Sequence, residues 1–250
     1  MSDEIQVTVD GPVRTVVLNR PAKRNALNSS MLEGLAAAFP DEPGADERVA
    51  VVRAEGPVFC AGIDLSERMS GGSVGIEEAL HRIENYPLPV VAVVGGDAIA
   101  GGAELAIHCD VVVAAETARI GMSLAQIGMA PPWPLAVKLL DVAGPAIARQ
   151  LLLLGDPVPA RRLADIGAIA SAVPADELDA AAAAVIERLA ANAPLSLRAI
   201  KAALIRAGAT RAGIPHDDVD QQLEQARRGQ DAREGIKARL EKRTPEFHGR

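Results

Sequence analysis

Residues 90–94 are an unbroken apolar run, and Gly95-Gly96-Asp97-Ala98-Ile99-Ala100-Gly101-Gly102-Ala103-Glu104-Leu105-Ala106-Ile107-His108-Cys109-Asp110 follows directly. No other stretch restricts the possible fold as much. The run reads as a buried strand, and the close glycine pair Gly101-Gly102 opens a helix over 103–108. Backbone N–H groups at a helix start have no partner within the helix and can hold a developing negative charge. Three residues after Gly101, Glu104 puts one carboxylate on an otherwise apolar helical face. A carboxylate in apolar surroundings is disposed to carry protons near neutral pH. A charge sink beside a proton carrier points to an active site.

Strand and helix alternate on both sides of this segment. Residues 5–10 and 13–18 alternate in polarity around Asp10-Gly11 and predict a hairpin. Residues 21–28 are a polar connection, after which Ser29 or Ser30 is expected to cap an amphipathic helix running toward Phe39. Strands are expected at 49–54, 90–94 and 111–115, and helices at 75–85, 103–108 and 135–142. This alternation implies parallel strands joined by crossovers, an α/β core. After Gly155 the pattern changes: helices at 160–165 and 177–191 flank one short strand near 169–173. From Pro194 onward everything reads as helix, at 195–207, 217–230 and 233–243. A helical tail of about fifty residues rarely stands alone, so it is expected to be an appendage to the core.

Composition narrows the class. With 49% hydrophobic residues and only 2% aromatic ones, the core must be built from Ala, Val, Leu and Ile. A net charge of −7 argues against a nucleic-acid footprint. Residues 1–10 are polar and acidic, which predicts no secretory signal, and the apolar runs near Val90 and Val111 are far too short to span a membrane. Cys60 and Cys109 form neither a metal-ligand pattern nor a disulfide framework. The expectation is a cytoplasmic protein with reduced thiols and no metal.

A second glycine turn, Phe59-Cys60-Ala61-Gly62-Ile63-Asp64-Leu65, follows the strand at 49–54. Taken singly, each turn is explained by the positive φ or close packing that strand-to-helix turns demand. Together, and in this order, they resemble the enoyl-CoA hydratase/isomerase (crotonase) superfamily. Arg20-Pro21 with Asn25-Ala26-Leu27 is similar to that family's early motif. Leu154-Gly155-Asp156, Ala164, Gly167 and Val173-Pro174 resemble a later one. Ala193-Pro194-Leu195 and Glu241-Lys242-Arg243-Thr244-Pro245-Glu246-Phe247 resemble its C-terminal helices and tail.

The resemblance implies a crotonase-like spiral of ββα units over residues 1–193. It also implies a helical trimerisation region over 194–250, giving a homotrimer or a dimer of trimers. The implied substrate is an acyl-CoA thioester, with no separate cofactor. Two backbone N–H groups, which fall here at Ile63 and Gly101, would bind the thioester oxygen. Such oxyanion-hole donors are worth on the order of 3 kcal/mol each. Coenzyme A would run near Ala22, Lys23, Arg24, Ala61, Asp64, Leu65 and Ser66; Lys23 and Arg24 also fit plain solvated charges. Glu104 matches the first of two acids that the family's hydratases use, and also suits a helix N-terminus through the helix dipole.

One departure limits the reaction. The second acid falls at Leu124, within Ile120-Gly121-Met122-Ser123-Leu124. Leucine transfers no proton, and neither Ser123 nor Gln126 is an acid near pH 7. Ala130-Pro131-Pro132-Trp133-Pro134 replaces a glycine-rich family turn, so Leu124 and Trp133 are candidates for the acyl-pocket wall; Trp133 equally suits anchoring a rigid turn. His108, four residues after Glu104, is within reach of it but reads as a helix end. His216 before Asp217-Asp218 reads as a cap. Three functions fit: a hydratase-type lyase in which Glu104 works alone, a malonyl-type decarboxylase or isomerase, or an acyl-CoA-binding protein without turnover. The first is the expectation carried forward.

Overall fold

The computed structural model describes residues 3–69, 75–209 and 213–249. Ile5–Asp10 (β1) and Val13–Leu18 (β2) form the expected antiparallel hairpin, from Ile5 opposite Leu18 to Asp10 opposite Val13. Gly11 supplies its positive φ of 53°. Ser29–Ala38 (α1) follows, but its cap is Asn28 rather than either serine: Asn28 Oδ1 accepts from Met31 N at 2.8 Å. The Ser29 hydroxyl instead donates to Glu67 at 2.6 Å.

Three strand pairs come next: Val49–Ala54 (β3) with Val58–Cys60 (β4), Val90–Val94 (β5) with Asp97–Ile99 (β6), and Val111–Ala115 (β7) with Arg119–Gly121 (β8). The first strand of each pair joins a large sheet and the second a small one. With Val158–Pro159 (β9) and Ser171–Val173 (β10) the orders are β1-β2-β3-β5-β7-β10 and β4-β6-β8-β9. This is a ββα spiral. Every residue of β5 is buried, as expected of a parallel strand covered on both faces. The three-residue strands β4 and β6 fall at what the sequence presents as glycine turns, and β8 at the start of the Ile120-Gly121-Met122-Ser123-Leu124 segment.

Glycine makes this folding-back possible. A Cβ at Gly96 would stand 2.0 Å from the Pro57 carbonyl oxygen, and one at Gly102 only 2.2 Å from that of Cys60. Any other residue would force successive turns of the spiral apart.

The helices are Leu65–Met69 (α2), Glu77–Glu84 (α3), Gly101–His108 (α4), Trp133–Arg149 (α5), Ala160–Asp165 (α6), Leu178–Ala191 (α7), Pro194–Gly208 (α8), Asp217–Arg228 (α9) and Gln230–Glu241 (α10). α5 runs beyond the expected 135–142 and is broken at Gly144, whose φ of 70° and ψ of 167° are not helical; Pro145 follows. α8 is pinned to the core by Lys201, whose Nζ donates to Asp110 at 2.6 Å and to the Leu88 carbonyl at 3.1 Å. α10 folds back onto the turn at Ala125–Ile127. There a Cβ at Gly235 would meet the Ile127 backbone at 2.3 Å, so only glycine permits the contact.

Candidate active site

The loop that starts at Arg20 sets the geometry of the first turn. Asn25 is fully buried with φ at 52°; its amide donates to the carbonyls of Glu55 and Val58, and its oxygen accepts from Arg20 N. This strap then pairs with the residues around Ile63. Ala61 N donates to Arg24 O at 3.0 Å, Leu27 N to Gly62 O at 2.8 Å and Asp64 N to Leu27 O at 2.9 Å. Between them the Ile63 amide faces away from the strap and has no acceptor among the described residues.

The second turn meets it. Gly101 is the first residue of α4, so its N–H has no partner within the helix. A Cβ at Gly101 would lie 3.4 Å from Ile63 N, which puts the two amides side by side. Ala100 orients the pair. Its φ of 50° and ψ of −117° are a conformation that L side chains rarely adopt, held by Ala100 N donating to Gly121 O at 2.8 Å. Strain of this kind costs on the order of 1–3 kcal/mol and gathers at functional sites. Ala100 is the contributor that sequence reasoning misses, since nothing about an alanine announces a positive φ.

A cavity of about 430 Å³ opens at these amides, lined by Ile63, Gly101 and Glu104 among others. Glu104 is only 8% exposed. Burial pushes its carboxyl up to about 7; Glu77 raises it further by repulsion and Arg227 opposes both. His108 does not touch this carboxyl. It bonds through Nδ1 to the Glu104 backbone oxygen at 2.7 Å, and its ordinary value is lowered chiefly by burial. The site therefore combines two free amides with a half-protonated acid near neutral pH.

The whole chain matches one family closely. The family model described as enoyl-CoA hydratase/isomerase covers residues 9–250. The chain belongs to the enoyl-CoA hydratase/isomerase family. A putative enoyl-CoA hydratase of Thermus thermophilus is 36% identical over 95% of this chain and 98% of its own length. The 2,3-dehydroadipyl-CoA hydratase of Escherichia coli is 32% identical over 99% of both. Among solved structures, methylmalonyl-CoA decarboxylase complexed with 2S-carboxypropyl-CoA superposes with a TM-score of 0.90 at 26% identity, covering 100% of both chains.

Around this cavity the expected residues divide. Arg24, Ala61, Ile63, Leu65, Gly101, Glu104 and Leu124 all line the cavity. Ala22, Lys23 and Ser66 stand outside that lining on exposed surface. Asp64 is also outside it, and is occupied as the cap of α2. It accepts from Ser66 N and Oγ and from Arg20 at 2.8 Å, and these bonds hold its carboxyl down at about 2 against its burial. Leu124, 9% exposed, presents its apolar side chain to the cavity beside Ser123. Trp133 takes the anchoring place: its ring stacks on His216 at 4.7 Å, outside the cavity lining. His216 is the N-cap residue of α9 as expected, but its ring makes no capping bond; Nδ1 lies 2.7 Å from Asp220 instead.

Proposed function

We propose that this chain adds water across the double bond of a 2-enoyl-CoA thioester, with Glu104 as the one acid–base group. The observation that carries the reading is a single buried carboxyl, titrating at about 7, beside the unpartnered Ile63 and Gly101 amides. As a carboxylate, Glu104 takes a proton from water while the oxygen attacks Cβ. The electron pair of the double bond moves onto the thioester oxygen, where the two amides stabilise the enolate. Glu104, now protonated, returns that proton to Cα, so one water is consumed and the enzyme is restored. The addition is redox-neutral and needs no cofactor beyond the CoA that the substrate carries.

A decarboxylase reading is favoured by one observation, Leu124 in place of a second acid, because loss of CO2 creates the enolate unaided. Crotonyl-CoA and methylmalonyl-CoA, each offered to wild type and to Glu104→Gln, separate the two. Hydration lost in the variant supports the proposal; decarboxylation with no hydration contradicts it.

The reading extends to assembly. α8 buries Lys201 while exposing Leu195, Ile200 and Leu204 at 78%, 54% and 68%. Such an apolar face supports treating 194–250 as the oligomerisation region of a homotrimer or dimer of trimers. Coenzyme A would enter past Arg24 and Ala61. Cys60 and Cys109, free and buried, support a reducing compartment such as the cytoplasm. Among the described residues no helix is long and apolar enough to cross a membrane.

A further inference from the structure

The cavity beside Glu104 is not uniformly apolar. Ile76, Leu124, Ile127 and Met129 share its lining with five arginines. Arg24, Arg119 and Arg239 are exposed, and Arg119 is paired with Asp97, which leaves Arg68 near the end of α2 and Arg227 near the end of α9 as the sheltered guanidinium groups. Both are only partly exposed. Among the described residues the Arg68 guanidinium has no hydrogen-bond or ion-pair partner, and that of Arg227 reaches Glu224 only at 3.9 Å. After burial, the strongest influence on Arg68 is the like charge of Arg227, ahead of Glu77 and Glu224. Arg227 also acts on Glu104, so the pair stands on the catalytic side of the cavity.

A pocket for a plain hydrocarbon chain gains nothing from two half-buried cations, whose lost hydration Glu77 and Glu224 offset only at a distance until an anion arrives. Two guanidinium forks sharing one cavity suit a carboxylate, which each can grip through parallel N–H···O bonds. We propose that the substrate is a CoA thioester whose acyl chain ends in a second carboxylate, held by Arg68 and Arg227. The proposal rests on the thioester-binding reading above and is independent of whether hydration is the reaction. Neither arginine is a catalytic residue; both set specificity.

Saturated thioesters, which cannot be hydrated, make the test. Isothermal titration of the full chain compares adipyl-CoA with hexanoyl-CoA and succinyl-CoA with butyryl-CoA. The charged chain is expected to bind about tenfold more tightly than its neutral counterpart at one or both lengths. In Arg68→Gln and in Arg227→Gln that ratio falls toward one. Because the readout is a ratio within each variant, a partly unfolded preparation lowers both affinities and leaves it intact. Equal or tighter binding of the neutral chain at both lengths overturns the proposal. So does a ratio unchanged by either substitution, the result expected if the pair held the phosphates of CoA instead. An enzyme that prefers adipyl-CoA yet hydrates nothing contradicts the hydratase reading alone.

Discussion

In the proposed reaction Glu104 is useful for the same reason that it burdens the fold. Its folded carboxyl titrates at about 7, whereas an ordinary glutamate titrates near 4.5. The folded state therefore binds the proton more tightly than the unfolded state does. The penalty for an ionised Glu104 is absent below pH 4.5, grows as pH rises, and is complete above 7. Removing the charge should thus stabilise the protein. Glu104→Gln is expected to gain up to about 3 kcal/mol over wild type above neutrality, less whatever the amide loses in unmet hydrogen bonds. Near pH 4.5 the gain should disappear. Urea unfolding at the two pH values checks this, and a variant no more stable than wild type at the higher pH would contradict the burial argument.

At the scale of elements, α4 sits where it does because two adjacent glycines do different jobs. A Cβ at Gly102 would strike the backbone of β4 at 2.2 Å, whereas one at Gly101 meets nothing closer than Ile76 Cδ1 at 3.1 Å. Gly102→Ala is therefore expected to lower stability by several kcal/mol, on the scale of core overpacking or worse. Gly101→Ala should fold with nearly wild-type thermal stability but crowd the thioester oxygen beside Ile63. Melting temperature and crotonyl-CoA turnover, measured on both variants, resolve the two roles. The same elements show what a sequence can reveal. β3, β5 and β7 are runs of five or six residues long enough to display their apolar character, and α6 and α7 declare themselves by helical spacing. The three-residue strands β4, β6 and β8 are too short for any period to emerge, so they pass for turns. Glu104, Ile63 and Gly101 are legible as a site because each sits in a local motif. Arg68 and Arg227 are not: they lie far apart in the chain, and only α10 folding back onto Ala125–Ile127, with α9 packed against it, brings them into one cavity.

For the whole molecule, the exposed apolar face of α8 supports the proposed assembly. Light scattering coupled to size exclusion should give three or six times the chain mass of 26.0 kDa. Ile200→Asp combined with Leu204→Asp should shift the species toward a single chain, and an unaltered elution would contradict that interface. The proposed hydration rests on a single carboxyl, placed by α4 beside two amides, carrying the proton through the reaction. The pH dependence of kcat/KM for crotonyl-CoA hydration tests it most directly. The account predicts a rate that climbs with pH, bends at about 7 as Glu104 ionises, and stays level above. In Glu104→Gln, hydration should fall by about 10²–10⁴ and lose the bend. A wild-type profile flat across neutrality, or a variant within about tenfold of wild type, would contradict the assignment of Glu104 as the sole proton carrier.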